Sequence, residues 1–211
     1  MNIKFNFFQY IWIFIASCYA GYLVETIWCL IKHGYIESRK SLVLGHLSVA
    51  YGMGAVLLTL LLTYLQSSKG WKIFLISFLA GTATEYICSL GQELLFGTVA
   101  WDYSNVPLNI NGRVCLLYSL FWGVLGLAWV KLVMPFMNKI FERVTIPHEK
   151  VLIYAFVAFF VFDCALSASA AIRMNNRDEG VPASTKISQF LDNHYPDEKM
   201  HQIYANSKSA K

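Results

Sequence analysis

Charged side chains are scarce in this chain: Asp, Glu, Lys and Arg make up 14% of its 211 residues, against roughly 25% in an average soluble domain. That shortage argues against an ordinary soluble domain and, with so much apolar residue beside it, against intrinsic disorder. Acidic and basic residues number 13 and 17, for a net charge of only +4. The Lys and Arg residues are scattered rather than striped, so nucleic acid is not an expected partner; basic loops beside anionic lipid account for the excess. The cysteines Cys18, Cys29, Cys88, Cys115 and Cys164 lack any C-x-x-C spacing, and each sits in or beside an apolar stretch. They read as small hydrophobes rather than metal ligands. No G-x-x-x-x-G-K-[ST] is present, so the chain does not hydrolyse ATP by a P-loop. G-x-S-x-G and H-E-x-x-H are missing as well. No cofactor and no metal are expected.

What fills the chain instead is apolar: 56% hydrophobic and 16% aromatic residues, with a mean hydropathy of +0.47. The pattern predicts an all-α integral membrane protein with five transmembrane helices. The predicted spans are about 7–31, 42–65, 71–95, 114–133 and 151–171, each able to cross a hydrocarbon core of ~30 Å. In lipid the backbone must satisfy its own hydrogen bonds, which makes each span a helix. Residues 1–172 form the predicted bundle. The apolar run from Lys4 continues past Cys18 to Ile31, longer than a signal-peptide core. Residues 173–211 form a polar tail, in which Ile187, Phe190 and Leu191, then Met200, Ile203 and Tyr204, mark two short amphipathic helices behind Pro182 and Pro196. These helices dock on the membrane surface or a partner, or pack on the chain's own loops.

Five spans place the termini on opposite sides. Lys4, Lys69, Lys72, Lys131, Lys139, Arg143 and Lys150 share the N-terminal side. Lys32, Arg39, Lys40, Arg113, Arg173, Arg177 and Lys186 face the other. The balance barely orients the chain. Discounting Arg113, a candidate for burial, tips the N-terminal side toward the cytoplasm.

The third segment repeats the first: Ile13, Phe14, Ser17, Ala20, Gly21, Glu25 and Ile27 recur as Ile73, Phe74, Ser77, Ala80, Gly81, Glu85 and Ile87. The polar phase Ser-x-x-x-Gly-x-x-x-Glu puts a small, close-packing ridge and a carboxyl group on one helix face. Gly45-His46 before Tyr51 and Gly112-Arg113 before Tyr118 echo one another more faintly, each opening a helix. The chain thus reads as two tandem helical hairpins plus a fifth helix, related by an axis along the membrane normal.

Ionisable residues within the spans are Glu25, Glu85, Glu93 and Asp163, with His46 and Arg113 at helix mouths. Each charge costs at least ~2.5–3.5 kcal/mol at the bilayer centre, so such residues face inward and find partners. All fall in the membrane half away from the N-terminus. The predicted binding pocket is Glu25, His46, Tyr51, Glu85, Arg113, Tyr118 and Asp163, with Arg113 placed to bridge Glu25 and Glu85 through its planar fork. The competing reading is a buried charge cluster that only sets helix register. Trp101, Asp102, Tyr103 and Asn111 belong to a loop at the pocket mouth, either part of the site or a cap that seals the bundle; Asp102 is a second candidate partner for Arg113, and Asn111-Gly112 signals a tight turn.

Gly21-Tyr22-Leu23-Val24-Glu25, Arg39 with Gly45 and Tyr51-Gly52-Met53-Gly54-Ala55, Glu85-Tyr86, Trp101-Asp102-Tyr103-Ser104 and Asn109-Ile110-Asn111-Gly112-Arg113 resemble the CmpB-type ABC transporter permease family of bacterial membrane proteins, which has transmembrane relatives in eukaryotes. Gly180-Val181-Pro182, Phe190-Leu191-Asp192 and Tyr195-Pro196-Asp197-Glu198 are similar too. The chain departs from the family pattern where Gly45-His46 and Val49-Ala50-Tyr51-Gly52 replace Gly-Pro and Pro-Ile-Tyr-Gly, which implies a straighter start to the second helix. The resemblance implies a membrane permease or transport component whose ATPase, if any, is a separate subunit. The other expected partners are the lipid bilayer and a second copy of the chain, in a multi-pass bacterial cytoplasmic membrane setting. Two rival expectations are a membrane-embedded enzyme acting on a lipid or small anion, and a non-catalytic membrane scaffold.

Overall fold

Asn6 and Gln9 exchange hydrogen bonds: Gln9 N–H donates to Asn6 Oδ1 at 2.9 Å and Asn6 N–H to Gln9 Oε1 at 2.8 Å. This reciprocal cap satisfies backbone donors that have no partner inside a helix and starts α1 (Phe7–His33). α1 ends at Gly34, whose φ of +78° suits a residue without Cβ and whose N–H returns to the Leu30 carbonyl at 2.9 Å. The structure is a computed structural model, and it describes residues 3–96, 98–99, 101–205 and 208–209.

The remaining elements are α2 (Val49–Thr63), α3 (Gly70–Phe96), β1 (Thr98–Val99), β2 (Asn109–Ile110), β3 (Val114–Cys115), α4 (Leu116–Ala128), α5 (Met134–Arg143), α6 (Glu149–Asp178), α7 (Lys186–His194), α8 (Asp197–Ile203) and β4 (Lys208–Ser209). β1 pairs antiparallel with β4, and β2 with β3 in the register Asn109↔Cys115 and Ile110↔Val114. Between α4 and α5 the helix continues through a π-helical turn, Trp129–Val133.

Among the described residues, four helical stretches are long and apolar enough to cross a membrane: Phe7–His33, Gly70–Leu94, Leu116–Arg143 and Glu149–Asp178. They expose large apolar side chains over much of their length, among them Trp28 at 59%, Ile87 at 66% and Val161 at 61%. Apolar exposure on that scale calls for a lipid solvent. The chain is a multi-pass membrane protein.

The five-span expectation needs correcting. The second predicted span, 42–65, yields a helix of only 15 residues, Val49–Thr63, which rises about 22 Å and falls short of the ~30 Å hydrocarbon core. Residues 42–48 are not helical, because their amides are claimed from elsewhere. Val43 N–H donates to Ser167 Oγ at 2.9 Å, and Leu44 and Gly45 N–H donate to the Asp163 carboxyl group at 3.1 and 2.7 Å. The helix start is therefore later than expected, and His46 lies ahead of α2 rather than in its first turn. Arg113 likewise precedes α4, which opens at Leu116.

The π-helical turn also has a local cause. Pro135 has no N–H to offer the Lys131 carbonyl, and its ring would collide with that carbonyl in a regular helix. The chain widens by one residue instead, and Met134 N–H bonds to the Trp129 carbonyl five residues back.

The chain divides into two compact units. The first comprises residues 1–17, 50–90 and 102–153, and the second residues 18–49, 91–101 and 154–211. The first unit buries Ile3, Phe5, Ile13, Ala55, Leu58, Leu62, Ile73 and Met134 together. Gln66 ties the N-terminal segment to it through both the N–H and the carbonyl of Ile3, and Trp129 Nε1–H donates to Thr59 Oγ1 at 2.9 Å. α3 and α4 approach closely through small residues: Gly81 lies under Trp122, Gly123 under Phe74, and Gly126 against Ser77.

The second unit is built on α6. Val43, Ala170, Leu191, Tyr195, Met200 and Ile203 form its buried cluster. Both tail helices form, α7 burying Leu191 of its stripe while Ile187 and Phe190 stay exposed, and α8 burying Met200 and Ile203 and ending one residue before Tyr204. α7 is started by a capping box between Thr185 and Ser188. Arg173 clasps Asp192 with Nε and Nη2 at 2.8 and 2.9 Å, and Arg177 adds Nη1 to Asp192 and Nε to Asp197, each at 2.7 Å. These planar, bidentate bonds hold α7 and α8 on the last turns of α6.

Candidate functional site

In the first unit Glu85 meets the loop residue Tyr103, and through Tyr103 it neighbours Tyr118. The ridge Ser77-Gly81-Glu85 runs along α3, and the two small members let α4 approach until Trp122 lies over Gly81. That approach brings Trp122 Nε1–H to Glu85 Oε2 at 3.4 Å. Tyr103 in the loop donates its hydroxyl to Glu85 Oε1 at 3.0 Å. Tyr103 stacks on Tyr118 with ring centroids 4.7 Å apart. One turn below, Thr82 Oγ1–H donates to Ser119 Oγ at 2.7 Å. Burial, followed by the Glu85 charge, raises the Tyr103 phenol above its usual range, so Tyr103 stays a donor across the physiological pH range.

The loop is positioned by the turn the sequence signals. Asn111 and Gly112 both take positive φ, +53° and +66°, and Arg113 N–H closes onto the Ile110 carbonyl at 3.0 Å; this is the primed turn that Asn-Gly favours between antiparallel strands. A Cβ at Gly112 would meet Ser104 Oγ and Asp102 Oδ1 at 2.5 and 2.8 Å. Asp102 Oδ1 accepts from both N–H and Oγ–H of Ser104, Asn109 Oδ1 accepts from Gly112 N–H at 3.0 Å, and Tyr103 N–H donates to the Gly112 carbonyl at 2.7 Å. The loop is a bonded frame that aims Tyr103 at α3. Arg113 is half-buried; its Nη1 reaches Ser89 Oγ at 3.5 Å and its guanidinium lies 5.7 Å from the Tyr86 ring centroid. Asn111 Nδ2–H donates to Tyr86 Oη at 2.8 Å. Tyr51 belongs to the same unit, on α2, 41% exposed.

Glu25, His46 and Asp163 belong to the second unit, as does Trp101. Glu25 is half-buried on α1, and its charge acts on Arg39, which also pairs with Glu37 at 2.5 Å. His46 meets the Tyr22 ring edge-on at 5.3 Å. Asp163 is fully buried, and its carboxyl oxygens are taken up by Leu44 N–H, Gly45 N–H and, at 3.2 Å, Ser167 Oγ–H. It shapes the 42–48 segment. Tyr204 hydrogen-bonds Ser167, and burial first, then the Asp163 field, pushes its phenol up to about 12.

The sequence reading missed Trp122, Ser89, Thr82 and Ser119. Trp122 carried one usable signal, a single indole placed between Tyr118 and Gly126 on the helix that returns beside the Gly81 ridge. Among the described residues, no group of three or more His, Cys, Asp or Glu converges as a metal site would require.

No curated protein and no solved structure matches the chain at a significant level. A family model described as "Putative ABC-transporter type IV" matches residues 12–168, a stretch that runs from the second turn of α1 through most of α6, takes in every residue around Glu85, and stops short of the tail helices. With three quarters of its length matched, including the framed loop and the Ser-Gly-Glu ridge, this membrane protein belongs to the CmpB family of ABC-transporter-type proteins.

Proposed function

We propose that this chain is the permease component of an ABC-type transporter in the bacterial cytoplasmic membrane, paired with an ATPase on a separate subunit. The absence of a phosphate-binding loop from a chain of this family supports the division of labour. The observation that carries the reading is Glu85. It is a carboxyl group within an apolar span, half-buried, and held by Tyr103 and Trp122, two neutral donors. A carboxyl group placed there at several kcal/mol expense prefers a cation or a stronger donor over such partners. Glu85, Tyr103, Tyr118 and Trp122 are therefore assigned to a polar solute-contacting site, and the Asn111-Gly112 turn to holding Tyr103 over it. The two tandem hairpins, offset from Ser17 to Ser77, are proposed to descend from one duplicated unit.

The test is purification of the tagged chain from its native membrane, followed by ATP turnover of the purified complex in proteoliposomes. A P-loop subunit co-purifies in stoichiometric amount. Glu85→Gln, which keeps shape and removes charge, leaves the complex intact and changes its ATP turnover. Failure of any ATPase to co-purify, or identical turnover in Glu85→Gln, overturns the assignment.

A further inference from the structure

The span Leu116–Arg143 holds 28 residues. At 1.5 Å per residue it extends about 42 Å, some 12 Å beyond the hydrocarbon core. An overhang of that size carries part of the helix past the core into the headgroup region. Beside the π-helical turn and Pro135 an open groove of about 490 Å³ runs along the helix, lined by Lys131, Leu132, Val133, Pro135, Phe136 and Lys139. Leu132 and Phe136 are 67% and 63% exposed, and both lysines are exposed as well. The other charges of α5 are Glu142, engaged by Asn138 Nδ2 at 2.6 Å, and Arg143.

We propose that this groove binds the headgroup of an anionic phospholipid. Its two kinds of wall match the two parts of that molecule. Lys131 and Lys139 supply the phosphate's counter-charge, the long stem of Lys131 letting its ammonium reach the interface from within the span. Leu132 and Phe136 offer an apolar surface to the acyl chains. A free phosphate would have no use for that apolar wall, and a zwitterionic lipid no net use for two lysines. The π-helical turn Trp129–Val133 adjoins the groove, in keeping with the concentration of π-turns at binding sites.

The test is native mass spectrometry of the full-length protein titrated with dioleoylphosphatidylglycerol or dioleoylphosphatidylcholine. The wild-type protein retains dioleoylphosphatidylglycerol preferentially. Lys131→Gln with Lys139→Gln lowers that preference about thirtyfold, the weight of two lysines facing an anionic surface, and Lys131→Arg with Lys139→Arg restores it. Lys69→Gln with Lys72→Gln removes the same charge from exposed positions outside the groove and leaves the preference unchanged. Unchanged preference in the first pair, or equal loss in the Lys69/Lys72 pair, overturns the site. Displacement of the lipid by glycerol 3-phosphate at equal concentration would make it a soluble-anion site and overturn the lipid assignment.

Discussion

Replacing Asp163 by alanine should loosen the 42–48 segment and lower stability measurably. The carboxyl group receives Leu44 N–H at 3.1 Å, Gly45 N–H at 2.7 Å and Ser167 Oγ–H at 3.2 Å, and is itself fully buried. A hydrogen bond contributes about 1 kcal/mol net, or about 1.5–3 when one partner is charged. Leu44 is 40% exposed, so water recovers part of its loss, whereas Gly45 is more enclosed. The expected cost is about 2–4 kcal/mol, or roughly 5–15 °C in melting temperature for a chain of this size. Asp163→Asn keeps one acceptor oxygen and should lose about half as much. With Cys88 and Cys164 replaced by alanine, a thiol-reactive dye can follow the transition in detergent, because Cys18, Cys29 and Cys115 are each at most 1% exposed. Hydrogen exchange at the Leu44 and Gly45 amides reads the local effect. An Asp163→Ala protein that melts within about 1 °C of wild type, with unchanged exchange at those amides, would refute the claim that Asp163 sets the late start of α2.

Two glycines of α3 make an internal comparison. Gly81→Ala places a Cβ into the Trp122 ring, while Gly91 has nothing within 4 Å. The first should destabilise by about 1–3 kcal/mol and disturb the Trp122–Glu85 bond, visible as a change in tryptophan emission; the second should be neutral or gain up to about 1 kcal/mol from helix propensity. The tail carries an acid limit. Hydrogen bonds from Arg173 and Arg177 hold the Asp192 carboxyl down from 3.8 to about 2. A depressed carboxyl pKa favours the docked form above the undocked value and loses that effect as pH falls through the bound one, so limited acid proteolysis should leave the tail docked at pH 5 and release it between about pH 4 and 2. Arg173→Lys should release it at neutral pH, because an ammonium cannot span both Asp192 oxygens. Tyr103→Phe should leave the Asn111-Gly112 turn intact and reproduce, more weakly, the effect of Glu85→Gln on ATP turnover.

Hydropathy alone located the membrane helices, because a lipid-facing helix needs apolar residues on nearly every side and that need does not depend on which neighbour it meets. The Ser77-Gly81-Glu85 phase, the Asn111-Gly112 turn and the two tail stripes were legible for the same reason: helix periodicity and φ preference are properties of the local chain. Composition is also why the second span was overread. Residues 42–48 are as apolar as a helix would be, and their irregular, bent course is decided by hydrogen bonds to Asp163 and Ser167, more than a hundred residues away. Glu85 could be picked out as a costly intramembrane carboxyl group, but its partners could not. Trp122 reaches it only because Gly81 has no side chain to keep α4 away. Tyr103 reaches it only because the loop is bonded into a frame. Such pairings depend on distances between helices, which tertiary packing sets and a linear pattern of residues does not encode by itself.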